Sequence, residues 1–335
     1  MEQDGNCRGS RRHLQGLARS CAMLTVMPSP TPYRGSDPSY NWDAFYDLPI
    51  RRFGNLESLN IDHDRHTRYI VDMGSIHLDF TVNPKGGKTL LVGFHGLENR
   101  TDTQLPKFQN VRSFGLRNES SMFLFDTTLL HNETLTLGWM FGTSKDSLTQ
   151  LYAEAIHAVR ESLGCPLALL FGHSGGGFAA MRVGTHLENS HAISVNGQVV
   201  VGHHRPWTIE ALAMAVGFEG TLSEFLATWG EARLDLRSSL DKRAVNSTFT
   251  YFGHREDRLC MTLHPHYPLL AGWADLTLEG GRTPQGDSLV PCIWSSSNPN
   301  PHAMPGSALP FIRLTLGEDP KIDIQHSVDP KWEHA

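Results

Sequence analysis

The sequence predicts an α/β fold built on a mostly parallel central sheet with helices on both faces. Three observations predict it. Six runs are continuously apolar: 88–94, 121–125, 166–171, 192–195, 249–252 and 288–294. Strands buried on both faces read this way, whereas strands with one wet face alternate. Helical patterns separate several of these runs, and that alternation is the signature of crossover connections. Ahead of them, Thr67 to Asp72 and Ser75 to Val82 alternate apolar with polar residues around Gly74, which predicts an antiparallel hairpin at the N-terminal edge of the sheet.

The clearest helix carries Leu148, Leu151, Tyr152, Ala155, Val159 and Leu163 at spacings of three and four, one apolar stripe, and Gly164 is placed to stop it. Residues 203–245 differ from the rest. Helix-like segments at 207–216, 221–230 and 232–241 follow one another with no strand among them, as expected of a small helical cap inserted over the strand ends. Residues 1–45 are rich in Arg, Ser, Pro and Gly without apolar periodicity and predict a flexible arm. No internal repeat or coiled-coil pattern is visible.

Composition narrows the function classes. The chain has 335 residues, 39% of them hydrophobic and 19% charged, with a net charge of −6 when histidine is neutral. That is enough apolar material for one large domain with an insertion, and the charge balance points to neither a nucleic acid nor an anionic membrane as partner. The five cysteines, Cys7, Cys21, Cys165, Cys260 and Cys292, form no C-x-x-C pair and no disulfide framework, which predicts reduced thiols and a cytoplasmic protein. The weakly apolar stretch 21–27 behind Arg11 and Arg12 is too short, and lacks the cleavage site, for a secretion signal. No run reaches the roughly 20 apolar residues of a membrane span.

The strongest chemical signal is Leu169-Leu170-Phe171-Gly172-His173-Ser174-Gly175-Gly176-Gly177-Phe178-Ala179-Ala180: a buried strand, then G-x-S-x-G, then small residues opening a helix. A serine hydroxyl attacks only when it is exposed, held rigidly and hydrogen-bonded to a base. A sharp strand-to-helix turn presents it in that way but leaves no room for bulk, which Gly172 and Gly176 avoid. The same turn aims the Gly175 amide at the place where negative charge would develop. Gly175 to Gly177 is not followed by the lysine of a phosphate-binding loop. Gly86-Gly87-Lys88-Thr89 precedes a strand, not a helix, so neither stretch reads as a nucleotide site.

With Phe94-His95-Gly96-Leu97 closing the first long buried run, the chain resembles the α/β-hydrolase superfamily over residues 66–320. The resemblance implies one α/β-hydrolase domain over 46–335, including the cap. It implies an oxyanion hole formed by the amides of Leu97 and Gly175, and the chain order nucleophile, acid, histidine. The acid is then expected after Phe249 to Phe252, at Asp257 with Glu256 as the alternative. The base is expected in the loop after Ser288 to Trp294, at His302, whose H-x-x-P and following Leu309, Phe311, Ile312 and Leu314 are similar to a histidine loop entering a last helix. His264, His266, His203, His204 and the cluster Asp62 to His66 are read as surface or cap residues, and the H-x-H spacing lacks a third metal ligand. Phe125-Asp126, Gly138-Trp139, Asn196-Gly197-Gln198 and the stretch from Tyr251 to Asp257 look like those of bacterial glycoconjugate-associated hydrolases, similar to accessory-secretion acetyltransferase-like proteins. Asp126 and Trp139 are left open between scaffold and pocket lining.

The implied activity is a serine hydrolase working through an acyl-serine, most simply a carboxylesterase on a small or glycan ester, with no cofactor and no metal. Transfer of the acyl group to a sugar hydroxyl is the alternative outcome, and a binding protein on the same scaffold is the non-enzymatic one.

Overall fold

The computed structural model describes residues 39, 41–101, 103–294 and 299–318, so nearly all of the expected arm lies outside the described residues. In chain order the elements are β1 (Trp42–Asp43), β2 (Leu48–Phe53), β3 (Thr67–Asp72), β4 (His77–Asn83), β5 (Thr89–Phe94), α1 (Val111–Gly115), β6 (Ser120–Leu124), α2 (Leu148–Ser162), β7 (Leu167–His173), α3 (Gly175–Gly184), β8 (Ser190–Val195), α4 (Pro206–Ala215), α5 (Leu222–Trp229), α6 (Leu236–Leu240), β9 (Ser247–His254), α7 (His266–Trp273), β10 (Gly281–Arg282), β11 (Ser288–Cys292) and α8 (Leu309–Thr315).

The strands form one sheet in the order β1-β2-β3-β4-β6-β5-β7-β8-β9-β11-β10. From β3 to β11, β4 alone among the eight central strands runs against its neighbours. The chain leaves β5 through α1 and returns as β6 between β4 and β5, then crosses back to β7 on the far side of β5. A reversed second strand, one such interchange and parallel strands thereafter make this an α/β-hydrolase fold. The hairpin expected at the N-terminal edge is β3 and β4, paired from Thr67↔Val82 to Asp72↔His77.

Burial explains why these segments became strands. β5, β6 and β7 are buried along almost their whole length, since α2 and α3 cover them. All ten residues of α3 are buried, so it is held by the core on every side and not by one stripe. α2 ends where expected, with Gly164 in the left-handed region at φ +65°. Its Tyr152 hydroxyl donates to Phe125 O at 2.5 Å and accepts from Asp79 N at 3.1 Å, tying the helix to β4 and to the end of β6.

Two features depart from the sequence reading. The sheet extends outward through β2 and β1. Leu48-Pro49-Ile50-Arg51-Arg52-Phe53 is mixed in polarity because only its first residue is fully buried, which hid it. A buried cluster holds this edge: Arg68 Nε lies 2.9 Å from Asp79 Oδ1, and Arg68 Nη1 lies 2.7 Å from Asp43 Oδ2 on β1. The third cap helix is also divided. Residues 230–234 make a single wide π turn. Asp235 then leaves helical backbone, bridges to Val200, and starts α6 by accepting the Arg237 amide at 3.0 Å. α4 and α5 lie close to where they were expected, and α5 carries a reciprocal cap between Thr221 and Glu224.

Candidate active site

Each residue of chemical interest sits just beyond the carboxyl end of a strand. Gly96 and Leu97 follow β5, Asp126 follows β6, Ser174 follows β7, Asn196 follows β8, Asp257 lies three residues past β9, and His302 lies in the loop after β11. The register aligns those ends, with His173 beside Val195 and Cys292 beside His254. Parallel strands thus deliver six loops to one edge of the sheet.

Ser174 adopts φ 54° and ψ −121°, a backbone conformation that a side chain disfavours. Close packing enforces it. A methyl group on Gly172 would lie 2.0 Å from Gly176 O, and one on Gly176 would lie 2.9 Å from the carbonyl oxygens of both Phe94 and His95. The turn is therefore too tight for any residue but glycine at these two positions. Ser174 N donates to Val195 O at 3.0 Å, which fixes the turn to the neighbouring strand.

The structure brings three of the expected residues into contact. His302 Nε2 lies 3.0 Å from Ser174 Oγ, and His302 Nδ1 lies 2.7 Å from Asp257 Oδ2. Asp257 is buried, and Glu256 beside it is exposed. Burial pushes the Asp257 carboxyl up, but the hydrogen bond and charge of His302, with further bonds from Cys260 and the Leu259 amide, bring it below its ordinary value. An ionised carboxylate only accepts hydrogen bonds, so the proton of a neutral His302 ring is on Nδ1. Nε2 then faces the serine hydroxyl as an acceptor.

The residues expected to form the oxyanion hole come from two turns that lie against each other. The His95-Gly96 turn backs onto the elbow, since a methyl on Gly96 would stand 3.1 Å from His173 O and 3.8 Å from Gly175 N. Among the described residues neither the Leu97 nor the Gly175 amide donates to a protein acceptor. Leu97 itself is 56% exposed. His95 accepts the Asp126 amide through Nε2 at 2.9 Å, so its Nδ1 carries the proton and donates to Gly96 O at 3.0 Å, bracing the turn.

Several residues that the sequence reading passed over hold the site together. His173, the variable position of the motif, reaches His302 O with Nε2 at 2.6 Å. That contact requires a proton on Nε2, and burial lowers the pKa of the ring to about 4, so it is neutral near pH 7. Asn196 spans the gap between the loops after β9 and β11: Nδ2 donates to Pro301 O at 3.2 Å and His302 O at 3.4 Å, while Oδ1 accepts the His254 amide at 2.8 Å. Trp294 Nε1 donates to Ala303 O at 2.9 Å. Cys260 lies beneath the pair, with its thiol 3.4 Å from Asn196 O and 3.8 Å from His302 Nδ1.

Asp126 and Trp139 belong together. Both Trp139 and Met140 have positive φ, and Asp126 Oδ2 holds that turn by accepting the Met140 amide at 2.9 Å. The buried Trp139 indole donates to Gln198 Oε1, and the Gln198 amide donates to Ser174 O at 3.3 Å. Trp139 also meets His204 edge-on, with ring centroids 5.5 Å apart, and His204 meets His264 at the same separation. His266, expected at the surface or in the cap, instead lies buried at the start of α7 and accepts the Val199 amide at 3.2 Å, and burial lowers its pKa to about 3. Among the described residues no helix is long and apolar enough to cross a membrane.

No protein-family model matches the chain, and no curated protein matches it in sequence. Solved structures do resemble it. A capsule O-acetyltransferase of Neisseria meningitidis serogroup A is 15% identical, with 70% of this chain and 89% of that one covered and a TM-score of 0.47. An S-formylglutathione hydrolase from Staphylococcus aureus is 12% identical over 68% and 91%, at TM-score 0.44. A glycosylation-associated protein complex from Streptococcus agalactiae is 18% identical over 63% and 40%, at TM-score 0.45. At such identities these are likenesses of fold alone, and the chemistry has to come from the side chains.

Proposed function

We propose that the protein is a serine hydrolase that passes an acyl group through an ester on Ser174, most simply a carboxylesterase acting on a small or glycan-borne ester. One observation carries this reading: a single imidazole lies 3.0 Å from the hydroxyl of a strained serine and 2.7 Å from a buried carboxylate. Scaffold alone gives no reason to hold a serine at φ 54° with a base against its oxygen.

The steps follow from that geometry. His302 Nε2 takes the hydroxyl proton as Ser174 Oγ attacks the ester carbonyl. Asp257 keeps the Nδ1 proton in place and stabilises the ring once it is charged. The oxygen that gains negative charge is received by the Leu97 and Gly175 amides, and such a donor is worth about 10²–10³ in turnover. His302 then returns the proton to the leaving alcohol. A water activated by the same nitrogen releases the acid and regenerates Ser174.

Where a sugar hydroxyl takes the place of that water, the same groups perform O-acyl transfer. Both outcomes use one base and one acyl-serine, and they differ in the hydroxyl that reaches the acyl carbon.

The test is covalent labelling with a fluorophosphonate probe. The full chain is expected to be labelled at Ser174. Labelling should vanish in Ser174→Ala and fall by a factor on the order of 10⁴ in His302→Ala. Folded wild-type protein that resists the probe would rule the catalytic reading out. Release of acetate from an acetyl ester, measured with and without added oligosaccharide acceptors, separates hydrolysis from transfer.

A further inference from the structure

Cys260 has no part in the acyl chemistry above, yet its sulfur lies against both partners of the acid–base pair. Asp257, Cys260 and His302 each offer one ligand atom, and the three atoms lie within 4.8 Å of one another. The separations are 2.7 Å between Nδ1 and Oδ2 and 3.8 Å between Sγ and Nδ1. A tetrahedral zinc ion with ordinary bond lengths sets its nitrogen, oxygen and sulfur ligands about 3.3–3.6 Å apart. To reach that spacing the nitrogen–oxygen pair has to open by about 0.6 Å and the sulfur–nitrogen pair to close by about 0.3 Å. Thiolate, imidazole and carboxylate are also the donor types such an ion prefers.

The first turn after β9 is what gathers them. Asp257 Oδ1 accepts the Leu259 amide at 2.9 Å and the Cys260 amide at 3.4 Å, so the carboxylate and the thiol are fixed to one backbone loop. The third donor comes from the opposite loop, which His173 and Asn196 hold from beneath.

We propose that Asp257, Cys260 and His302 form an inhibitory site for a zinc-type divalent cation. The inference rests on the reading of His302 as base. The ion replaces the proton on Nδ1, which moves to Nε2 of the still neutral ring, and the Cys260 thiol releases its proton to solvent. The ring then presents Nε2–H to Ser174 Oγ where it previously presented a lone pair, and it can no longer accept the hydroxyl proton. Inhibition therefore works by reversing the tautomer, with no need to block the substrate's path. Removing the ion restores Nδ1–H and the base with it.

The experiment titrates the full chain with CdCl2, whose bond to a thiolate has an ultraviolet charge-transfer band, while the rate of fluorophosphonate labelling at Ser174 is followed. One thiolate's worth of absorption is expected to grow in parallel with a fall in labelling of at least a hundredfold, both reversed by EDTA and both reproduced in effect by ZnCl2. Each variant is compared with its own metal-free rate. In Cys260→Ser the band is expected to disappear and the cadmium concentration for half-inhibition to rise at least a hundredfold. Equal sensitivity of Cys260→Ser and wild type, inhibition without the band, or full activity at millimolar cadmium would each overturn the proposal. Should Cys260→Ser not fold, the cadmium NMR shift of the wild-type complex decides, because a site with one sulfur donor resonates apart from one with oxygen and nitrogen alone. Failure of the catalytic reading looks different: metal-free protein resists the probe, while the band and its dependence on Cys260 still report on the ion.

Discussion

The elbow that carries Ser174 and the loop that carries His302 touch through His302 Nε2 on Ser174 Oγ and His173 Nε2 on His302 O, yet they are held in opposite ways. The elbow is fixed by exclusion. Gly172 and Gly176 face backbone oxygens at 2.0 and 2.9 Å from where a methyl would stand, so the turn has one way to fold. The histidine loop is fixed by attachment, through side chains that donate to its backbone: His173 to His302 O and Asn196 to Pro301 O and His302 O from more than a hundred positions away, and Trp294 to Ala303 O from nine. Packing contacts fail all at once, whereas hydrogen bonds can be removed one at a time. Ser174 should therefore respond to mutation as part of the core, and His302 as an adjustable part.

Gly172→Ala offers the sharpest break. It forces a methyl into Gly176 O and should destabilise the fold by about 2–3 kcal/mol, a drop in Tm of roughly 5–10 °C by calorimetry, with labelling of Ser174 lost. A variant with wild-type Tm would refute the claim of exclusion.

Asn196→Asp comes next. It keeps the acceptor for the His254 amide, but it faces two carbonyls with an anion instead of a donor. A misplaced base is expected to lower the labelling rate about a hundredfold, with a much smaller change in Tm than in Gly172→Ala. Asn196→Gly, which suits the φ of 45° but has neither arm, should lose activity similarly.

His173 sharpens the comparison because it belongs to the elbow by sequence and to the loop by bonding. His173→Phe removes one donor to His302 O, and a loss of about tenfold in labelling is expected, with KM for a simple ester unchanged.

The gentlest test is pH. Burial holds His66, His173, His186, His191 and His204 at about 4, below the ordinary 6.5, so each is neutral in the folded chain. The unfolded chain binds the extra protons between about 6.5 and 4. Stability is thus fully present above 6.5 and declines as pH falls through that window. Tm should fall steadily from pH 6.5 to 4, and the decline should be shallower in His173→Phe.

The same contrast explains what could be read from the sequence. β5 to β9 and α2 were legible because each is a run whose own pattern states its surroundings. The elbow was legible because exclusion writes itself into adjacent glycines. Asp257 and His302 were expected from their order after Ser174, with H-x-x-P as the one local mark of His302 and none that separates Asp257 from Glu256. The attachments of the loop were not legible: His173 touches a residue 129 positions away, and the Asn196 side chain spans 58 and 105 positions. Hydrogen-bond partners at that range leave no periodicity. β2 was missed for a related reason, since a half-exposed edge strand carries arginines that no buried run would contain.

The backbone at Ser174 has one more consequence. A φ of 54° with ψ of −121° suits glycine and burdens any residue with a β-carbon. Ser174→Gly should therefore melt later than the parent protein while taking no probe at all. A search for hardier versions of this chain by heat resistance alone would be drawn to a substitution that removes the proposed nucleophile.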